Sequence, residues 1–389
     1  MNITISSKKV LHVIPGFGGG IAAHVWNLAT SLDKSKVVID VVSFSIPSDE
    51  FIKDIKANGG NVFVISRLKD VSLLGFINNF NNILKNNGPY YMIHLHQSEF
   101  RALLFTILAK KSGIERSAIH SHISDKANSN KMLFKLKMRF YRFINKHSTT
   151  DMVSCSKLAS NYLYGNDQVQ KNKIMHMPNS IVAEKFFVTE NPEEIYKFKR
   201  NHHINEKTLV IGHIGYFGYQ KNHEFMVKII NKMINEKIDF VWLFLGEGPG
   251  KEQIEEKIKE LNAEKYVRFL GRRKDVPFIF SCMDIMVLPS HFEGLPTVAV
   301  EAQAAGVPSI ISDNVTNEAD MGMGITRYVP LEKEDLWIDA ILEMASVRIP
   351  DTAIRRETLE KKNFTSEKAA KLYESFVWEN IRTYNLGDR

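Results

Sequence analysis

Short runs of β-branched and other apolar residues alternate along the chain with longer segments whose apolar residues recur at helical spacing. This alternation is typical of βαβ units built around a parallel sheet. Strands are predicted in the first half at Val10–Ile14, Val37–Phe44, Val62–Ile65, Tyr91–Leu95, Ala118–His120, Met152–Ser154 and Ile174–Met177, and in the second half at Leu209–Ile214, Phe240–Leu245, Val267–Leu270, Ile285–Leu288 and Ser309–Ile311. Helices are predicted between them, for example at Ile21–Leu32, Val71–Lys85, Glu99–Lys111 and Lys131–Lys146. The doubled pattern predicts an α/β fold of two doubly wound, Rossmann-like domains.

The domain boundary is predicted in the polar stretch from Ala183 to Lys207, which has little apolar periodicity and contains Asn191-Pro192. We therefore expect one domain over residues 1–183 and a second over 184–365. Apolar residues at helical spacing in residues 366–389 predict a closing helix. Because parallel sheets bind ligands at the carboxyl ends of their strands, we expect the two domains to face each other across a cleft lined by those ends.

The amino-acid composition excludes several classes of protein. Hydrophobic residues make up 44% of the 389 residues and charged residues 24%, which excludes collagen-like and wholly disordered chains. Cys155 and Cys282 lie far apart, so the sequence encodes neither a disulfide framework nor a thiolate zinc site. No apolar run approaches a membrane span, and the apolar run near the start is interpreted as a strand and not as a signal peptide. We expect a cytoplasmic protein.

Charge is divided unevenly along the chain. Residues 1–180 carry 23 Lys and Arg against 11 Asp and Glu, whereas the remainder is net negative. Because no zinc-finger spacing, RNP-type motif or continuous basic arm is present, we expect no nucleic-acid partner. The basic half is better suited to bind an acidic acceptor or an anionic membrane surface than a nucleic acid.

The segment at 131–146 predicts a basic amphipathic helix. Its basic side contains Lys131, Lys135, Arg139, Arg142 and Lys146, and its apolar side contains Leu133, Leu136, Phe140, Phe143 and Ile144. We expect the apolar side to pack on the first domain. The basic side is suited to anionic lipid headgroups on the inner leaflet, which would make the protein peripheral to the membrane.

A glycine-rich loop, Pro15 to Gly20, directly follows the first predicted strand. Gly18, Gly19 and Gly20 would place amide N–H groups at a helix N-terminus, which suits a phosphate or a sugar oxygen. The G-x-G-x-x-G pattern fails because Ile21 occupies the last glycine position, so an ordinary NAD site is not indicated. A tight turn without a ligand is the alternative interpretation.

The strongest signal is the segment PSHFEGLPTVAVEAQAAGVPSIISD. Glu293 follows a predicted strand, Pro296 suits the first turn of a helix, and Glu301 falls on that helix. Amides of Leu295, Thr297 and Val298 would point at the cleft, and both carboxylates could reach a ligand held there. Carboxylates commonly bind sugar or ribose hydroxyls, so a sugar or nucleotide ligand is indicated.

This E-G-L-P-x-x-x-x-E segment resembles the signature of the family-4 retaining glycosyltransferases of GT-B fold. Other segments resemble the same family in the same order, so the resemblance covers most of the chain. They are GGGIAAHVWNLA, the His-Ser-His at 120–122, SCSKLASNYLYG, MPNSI, GYFGYQKNHE, LFLGEGPG and FLGRRKDVP. The similarity is closest to bacterial enzymes that assemble capsular and extracellular polysaccharides. The resemblance implies an acceptor-side N-terminal domain and a C-terminal domain that binds a nucleotide-sugar, with UDP expected.

The resemblance also implies roles for single residues. Glu301 would hold the ribose hydroxyls, Glu293 the hydroxyls of the donor sugar, and Lys221 the diphosphate, while His122 would sit beside the sugar. The implied catalytic residues are Glu293, His122 and Lys221. The implied contacts to the nucleotide-sugar are Gly18, Gly19, Gly20, Tyr216, Lys221, Glu247, Gly271, Arg272, Glu293, Gly294, Leu295, Pro296, Thr297 and Glu301.

One position departs from the family. Tyr216 stands where the family usually has an Arg that shares the diphosphate, so stabilisation of the leaving group would rest on Lys221, the helix amides and Arg272 or Arg273. No D-x-D motif stands in a suitable loop, and we expect neither a metal nor a cofactor, the nucleotide-sugar being a co-substrate. We expect retention through attack on the face that the diphosphate leaves, with a leaving phosphate oxygen taking the acceptor proton.

Two alternatives stay open, one an enzyme of the same fold and the other a protein of a different class. A nucleotide-sugar 2-epimerase would act on the donor alone, and a non-catalytic binding partner of another transferase would bind the donor without turnover, as Tyr216 suggests. A periplasmic solute receptor is disfavoured. The leading hypothesis is a transferase acting on a growing glycan or lipid-linked oligosaccharide.

Overall fold

The computed structural model describes residues 7–123, 132–171, 173–188 and 190–379, and Lys131 of the predicted basic helix lies outside them. By its internal contacts the chain divides into two compact units, one formed by residues 1–181 and 363–389 and the other by 182–362. Each unit contains one parallel sheet with helices on its faces, so the predicted α/β class with two Rossmann-like units is confirmed.

Among its described residues, the first unit contains a sheet of seven strands. Their order across the sheet is β3-β2-β1-β4-β5-β6-β7. Its strands are β1 (Lys8–Ile14), β2 (Val37–Ser43), β3 (Val62–Val64), β4 (Met92–Leu95), β5 (Arg116–Ser121), β6 (Asp151–Ser154) and β7 (Ile174–His176). Its helices are α1 (Gly20–Ser31), α2 (Asp49–Ala57), α3 (Leu73–Asn87), α4 (Glu99–Lys111), α5 (Met132–Ser148), α6 (Lys157–Tyr164) and α7 (Asn166–Gln170). All pairings are parallel, and the strand order reverses direction between β1 and β4.

The second unit contains a six-stranded parallel sheet within the described ranges, in the order β10-β9-β8-β11-β12-β13. Its strands are β8 (Leu209–Ile214), β9 (Phe240–Leu245), β10 (Val267–Gly271), β11 (Ile285–Leu288), β12 (Ser309–Ser312) and β13 (Thr326–Val329). Its helices are α8 (Pro192–Asn201), α9 (His223–Asn235), α10 (Lys251–Glu260), α11 (Val276–Ser281), α12 (Thr297–Ala305), α13 (Glu334–Met344) and α14 (Thr352–Lys361). Here the strand order reverses between β8 and β11.

The last helix, α15 (Ser366–Trp378), belongs to the first unit and packs on α1. Tyr373 and Phe376 are fully buried among the side chains of β1 and α1. Arg116 of β5 donates to the carbonyl oxygens of Phe376 and Val377 and pairs with the buried Asp151 at 3.0 Å. A cation at the carboxyl end of a helix is favourable for the helix dipole, so Arg116 anchors α15 to the sheet.

Two segments differ from the prediction. The predicted linker, 183–207, contains helix α8, which Asn191 caps by accepting a hydrogen bond from the backbone of Glu193, and which begins at Pro192. The helix was not expected, because a Pro at the first helical position begins a helix as readily as it marks a loop. The two units divide between residues 181 and 182, just before this stretch. Strand β13 was not predicted, since its sequence TRYV has only one apolar β-branched residue.

Helix α5 also differs. We expected its apolar side to pack on the first unit, but Leu133, Leu136, Phe140 and Phe143 are 52–79% exposed. The buried residues of α5 are Met138, Ile144 and Asn145, of which Ile144 belongs to the predicted apolar side. Two cations of the predicted basic side are used within the unit, because Arg142 donates to the carbonyl oxygens of Asn161 and Tyr162, and Lys146 pairs with Asp167.

Candidate functional site

The loops that follow β8, β9, β10 and β11 lie side by side in the second unit, because these four strands are neighbours and parallel. Ligands of doubly wound sheets bind where the strand order reverses, which here is between β8 and β11. The predicted residues Tyr216 and Lys221 follow β8, and Glu293 follows β11. The sheet topology therefore brings these predicted residues to one edge.

An ion pair between Lys221 and Glu293 lies at the centre of this edge. Lys221 Nζ is 2.6 Å from Glu293 Oε1, and the two side chains are 15% and 9% exposed. Glu293 also accepts hydrogen bonds from Gln220 Nε2 at 2.9 Å and from Ser290 Oγ at 3.0 Å. Three donors thus fix the carboxylate, and a diphosphate bound by Lys221 would share the ammonium group with Glu293.

Gln220 and Ser290 were not predicted from the sequence as site residues. Gln220 immediately precedes Lys221, and Ser290 precedes Glu293 by three residues in the strongest segment. Their positions beside predicted residues were the only signal. Their role as donors follows from the close approach of the two loops, where the backbone N–H of His291 also donates to the carbonyl oxygen of Gln220.

Two glycines permit the close packing of the loops around Lys221. A Cβ on Gly215 would lie 3.0 Å from Lys221 Cγ, and a Cβ on Gly246 would lie 1.9 Å from the carbonyl oxygen of Gly215. Gly246 also has a φ of +138°, a backbone conformation that other residues rarely adopt. Larger residues at these positions would move the loop that carries Lys221.

Glu301 lies on α12, one turn after the helix begins at Thr297, and is half-buried. Burial raises the pKa of its carboxyl to about 7, while the nearby ammonium of Lys221 lowers it. Pro296 was expected in the first turn and is instead the capping residue just before it. The first N–H groups of a helix have no acceptor within the helix, so this end of α12 suits an anion.

The remaining predicted residues of this unit lie at its periphery. Glu247 is exposed and pairs with Lys251 at 3.0 Å, and its Oε1 lies 3.0 Å from where a Cβ on Gly271 would be. Arg272 is exposed, whereas both ends of the Arg273 guanidinium bind Asp275. Tyr216 is 64% exposed. Three cations were expected to stabilise the leaving group, namely Lys221, Arg272 and Arg273. Of these, Lys221 is the one that forms an ion pair with Glu293.

The predicted glycines of the first unit lie between β1 and α1. Gly18 and Gly19 have φ of +94° and +129°, which explains why glycine is needed there. Gly20 begins α1, and Gly19 caps the helix without a side-chain hydrogen bond. No described heavy atom lies within 4 Å of where a Cβ on Gly19 would be. The geometry leaves the amino end of α1 open to a ligand atom.

His122 follows β5 and is part of a larger cluster of histidines in the first unit. The cluster comprises His12, His24, His94, His96, His120 and His122. Burial lowers the pKa of all six, to about 3 for His12 and about 4 for His24. The imidazoles are therefore neutral. Only the pair at 120 and 122 was noted from the sequence, although His94 and His96 show the same H-x-H spacing at the end of β4.

Hydrogen bonds hold His122 at both ring nitrogens. Its Nδ1 is 3.1 Å from Asn179 Oδ1, and its Nε2 is 2.7 Å from His96 Nδ1. A neutral imidazole has one donor and one acceptor nitrogen. Because the amide oxygen of Asn179 accepts, His122 donates from Nδ1 and accepts at Nε2 from His96.

Further hydrogen bonds connect His96 to His12, Tyr373 and His94. His96 Nε2 accepts from His12 Nδ1 at 3.0 Å, and His12 Nε2 accepts from the Tyr373 hydroxyl at 2.7 Å. The Tyr373 oxygen accepts in turn from His94 Nδ1 at 3.0 Å. One chain of hydrogen bonds thus connects α15 to His122 and fixes one tautomer at four of the rings, those of His12, His94, His96 and His122.

Three of these rings could offer ligands to a metal. Nitrogen atoms of His94, His96 and His120 lie within 4.8 Å of one another, and neutral imidazoles suit Zn²⁺ and similar ions. His96, however, uses both nitrogens for hydrogen bonds to His12 and His122. A metal at this position would have to displace one of those bonds.

Known proteins resemble this chain in sequence and in structure. The model of the family described as "Glycosyl transferases group 1" matches residues 194–343. The putative glycosyltransferase EpsF of Bacillus subtilis is 30% identical over 365 residues, covering 93% of this chain and 94% of EpsF. The UDP-Gal:alpha-D-GlcNAc-diphosphoundecaprenol alpha-1,3-galactosyltransferase of Escherichia coli is 25% identical over 297 residues, covering 74% and 75%. The crystal structure of Anabaena HepE in complex with UDP and glucose matches with a TM-score of 0.77 at 14% identity, covering 96% of this chain and 100% of HepE.

Proposed function

Since the chain belongs to the group 1 glycosyl transferases and has their GT-B fold, we propose that it transfers a sugar from a UDP-linked donor to a growing, lipid-linked glycan with retention of configuration. The observation that carries this proposal is the buried Lys221–Glu293 pair at the point where the strand order of the second unit reverses. Such a point is where nucleotides bind in doubly wound sheets.

The choice of donor and acceptor is supported by relatives. The E. coli relative is named for UDP-Gal as donor and a sugar on diphosphoundecaprenol as acceptor, and HepE was crystallised with UDP and glucose. In this chain, Glu301 would bind the ribose hydroxyls and Lys221 the diphosphate. The amides that begin α12 would add hydrogen bonds to the phosphate oxygens.

The proposed reaction breaks the bond between the anomeric carbon and the diphosphate oxygen. Lys221 and the helix amides stabilise the charge that develops on the diphosphate. A double displacement would need a carboxylate nucleophile under the anomeric carbon. Glu293 is held by three donors, so we assign it to binding sugar hydroxyls. The acceptor hydroxyl then attacks on the face that the diphosphate leaves, and a phosphate oxygen takes its proton.

A thermal-shift panel tests the donor assignment. UDP, UDP-glucose, UDP-galactose, UDP-GlcNAc and GDP-mannose would each be added to the purified chain, and a ligand at 100 times its Kd should stabilise it by about 2.7 kcal/mol. We expect the UDP compounds to stabilise the protein. This stabilisation should be smaller in Glu301→Ala and unchanged in the control Glu252→Ala, which alters an exposed residue. Stabilisation by GDP-mannose alone, or equal loss in both variants, would contradict the assignment.

Contact with a membrane surface is a further part of the proposal. Its basis is the exposed apolar side of α5, where Leu136 and Phe140 are each 52% exposed. Phe100 of α4 continues this patch, its ring centroid 5.8 Å from that of Phe140. Lys135 and Arg139, on the basic side of α5, are also exposed. A helix with an exposed apolar side and a basic side suits an anionic bilayer interface. None of the described helices is long and apolar enough to cross a membrane.

Co-sedimentation with vesicles tests this contact. We expect binding to phosphatidylglycerol-containing vesicles and much weaker binding to pure phosphatidylcholine. The double variant Leu136→Ser/Phe140→Ser should reduce binding, because each serine removes apolar area that enters the interface. Ile107→Ser, which changes an exposed residue of α4, is the matched control. Unchanged sedimentation of the double variant would exclude α5 as the contact.

A further inference from the structure

A cavity of about 720 Å³ lies in the first unit near the carboxyl ends of β1, β2 and β3. Its inner wall is aromatic, because Phe44, Phe76 and Phe105 pack with ring centroids 5.6 to 6.4 Å apart. Leu68 and Leu104 extend the apolar lining. The volume is in the range of small-molecule sites, which are usually apolar with a few polar groups at defined positions.

Three basic residues also line this cavity. Arg67 and Lys69 come from the loop that follows β3, and Arg101 comes from α4. All three are exposed, and we find no ion pair to any of them among the described residues. No carboxylate lines the cavity in the described part of the chain. Three exposed cations beside three phenyl rings are suited to an anion that carries an apolar group.

The combination restricts the chemistry of the ligand. A neutral glycan would leave the cations without partners, and a free phosphate would leave the aromatic wall unused. We propose that this cavity binds the diphosphate and the first isoprenoid units of a polyprenyl-diphosphate acceptor. The diphosphate lies against Arg67, Lys69 and Arg101, and the isoprenoid chain lies on the phenylalanine wall. This inference rests on the proposed transfer to a lipid-linked glycan and names the part of the first unit that holds the lipid end.

Calorimetric titration of the full chain with farnesyl diphosphate tests the inference without a donor or turnover. Inorganic diphosphate and farnesol are titrated separately, since each carries one half of the ligand. We expect farnesyl diphosphate to bind at least ~10-fold more tightly than either half, because only the whole molecule contacts both parts of the cavity. Equal affinity for inorganic diphosphate would show a simple anion site and would overturn the inference.

Two surface variants connect the binding to this cavity. Arg101→Gln should weaken farnesyl diphosphate binding by ~10-fold or more, with Lys110→Gln on the same helix as control. Leu68→Asn should weaken it by ~3- to 10-fold, with the exposed Leu74→Asn as control. All four positions are accessible, so folding should not be affected. Unchanged affinity in both cavity variants would overturn the inference.

The proposed function and this inference can fail separately. UDP binding is measured on the same preparations, and it depends on residues of the second unit. If UDP binds normally but farnesyl diphosphate does not, the cavity assignment is wrong and the transferase proposal stands. If farnesyl diphosphate binds to the cavity but no nucleotide binds, the cavity assignment holds and the donor assignment fails.

Discussion

The ammonium group of Lys221 lies 2.6 Å from the carboxylate of Glu293, although the two residues come from loops that follow different strands. Each residue therefore sets the position of the other. A donor whose diphosphate approaches Lys221 would meet Glu293 at the same place, so its sugar would lie beside a carboxylate already fixed by Gln220 and Ser290. If the donor binds as proposed, we expect binding of the leaving group and binding of the sugar to be coupled through this pair.

The first prediction compares two substitutions at the proposed diphosphate site. Tyr216→Phe removes one neutral hydrogen bond at most, and should cost about 0.5–1.5 kcal/mol, roughly tenfold in rate or less. Lys221→Ala removes the cation and leaves the buried Glu293 without its charged partner, so it should cost clearly more. Steady-state rates with a matched donor and acceptor give the order. If Lys221→Ala leaves the rate of an active enzyme unchanged, the diphosphate is bound elsewhere, and Arg272 is the next candidate.

The second prediction separates the two glutamates. Glu301→Ala should chiefly weaken nucleotide binding, because Glu301 is assigned to the ribose. Glu293→Ala should chiefly lower kcat, because Glu293 is assigned to the reacting sugar. Calorimetry with UDP and initial rates with the full donor provide the two readouts. Equal loss of UDP affinity in both variants would refute the separate roles.

The common location of the loops that carry Lys221 and Glu293 could be predicted from the sequence, because loops after parallel strands meet at one edge. The helix that carries Glu301 could be predicted because Pro296 indicates its start. The partners of Glu293 could not be predicted, since Gln220 approaches Ser290 only after β8 and β11 pair. The histidine cluster was mostly missed for the same reason, because His12, His94 and His120 come from three strands. The exposed side of α5 was also missed, because helical periodicity identifies an apolar stripe but not whether another element covers it.

The third prediction concerns acid stability and His24. Burial lowers the pKa of His24 to about 4, below the ordinary 6.5, and neither ring nitrogen has a partner among the described residues. As pH falls below 6.5, the unfolded state takes up a proton that the folded state does not, so the free energy of unfolding decreases with falling pH. Between pH 7 and pH 5 this histidine alone accounts for about 2 kcal/mol.

His24→Leu should therefore flatten the pH dependence of the free energy of unfolding by about that amount. Urea unfolding at pH 7 and pH 5 measures it, and His147→Leu, at an exposed position of α5, is the control. The same slope in His24→Leu and in the natural protein would mean that His24 is not buried in the neutral form.

The fourth prediction is that a chelator leaves transfer intact. The proposed leaving-group stabilisation uses Lys221 and backbone amides, and His96 of the possible metal set is already engaged by two hydrogen bonds. Initial rates with and without EDTA should agree within error. Complete loss of activity that Mn²⁺ or Mg²⁺ restores would show a metal-dependent reaction instead.

The most direct test of the account is transfer by the purified chain itself. The chain is incubated with the UDP-sugar that stabilises it and with a polyprenyl-diphosphate-linked saccharide, and the product is analysed by NMR for the configuration of the new glycosidic bond. We predict a product whose anomeric configuration equals that of the donor, formed much more slowly by Lys221→Ala. An inverted product would contradict the mechanism. Tight UDP binding with no transfer to any acceptor would contradict the account and would identify a non-catalytic binding protein.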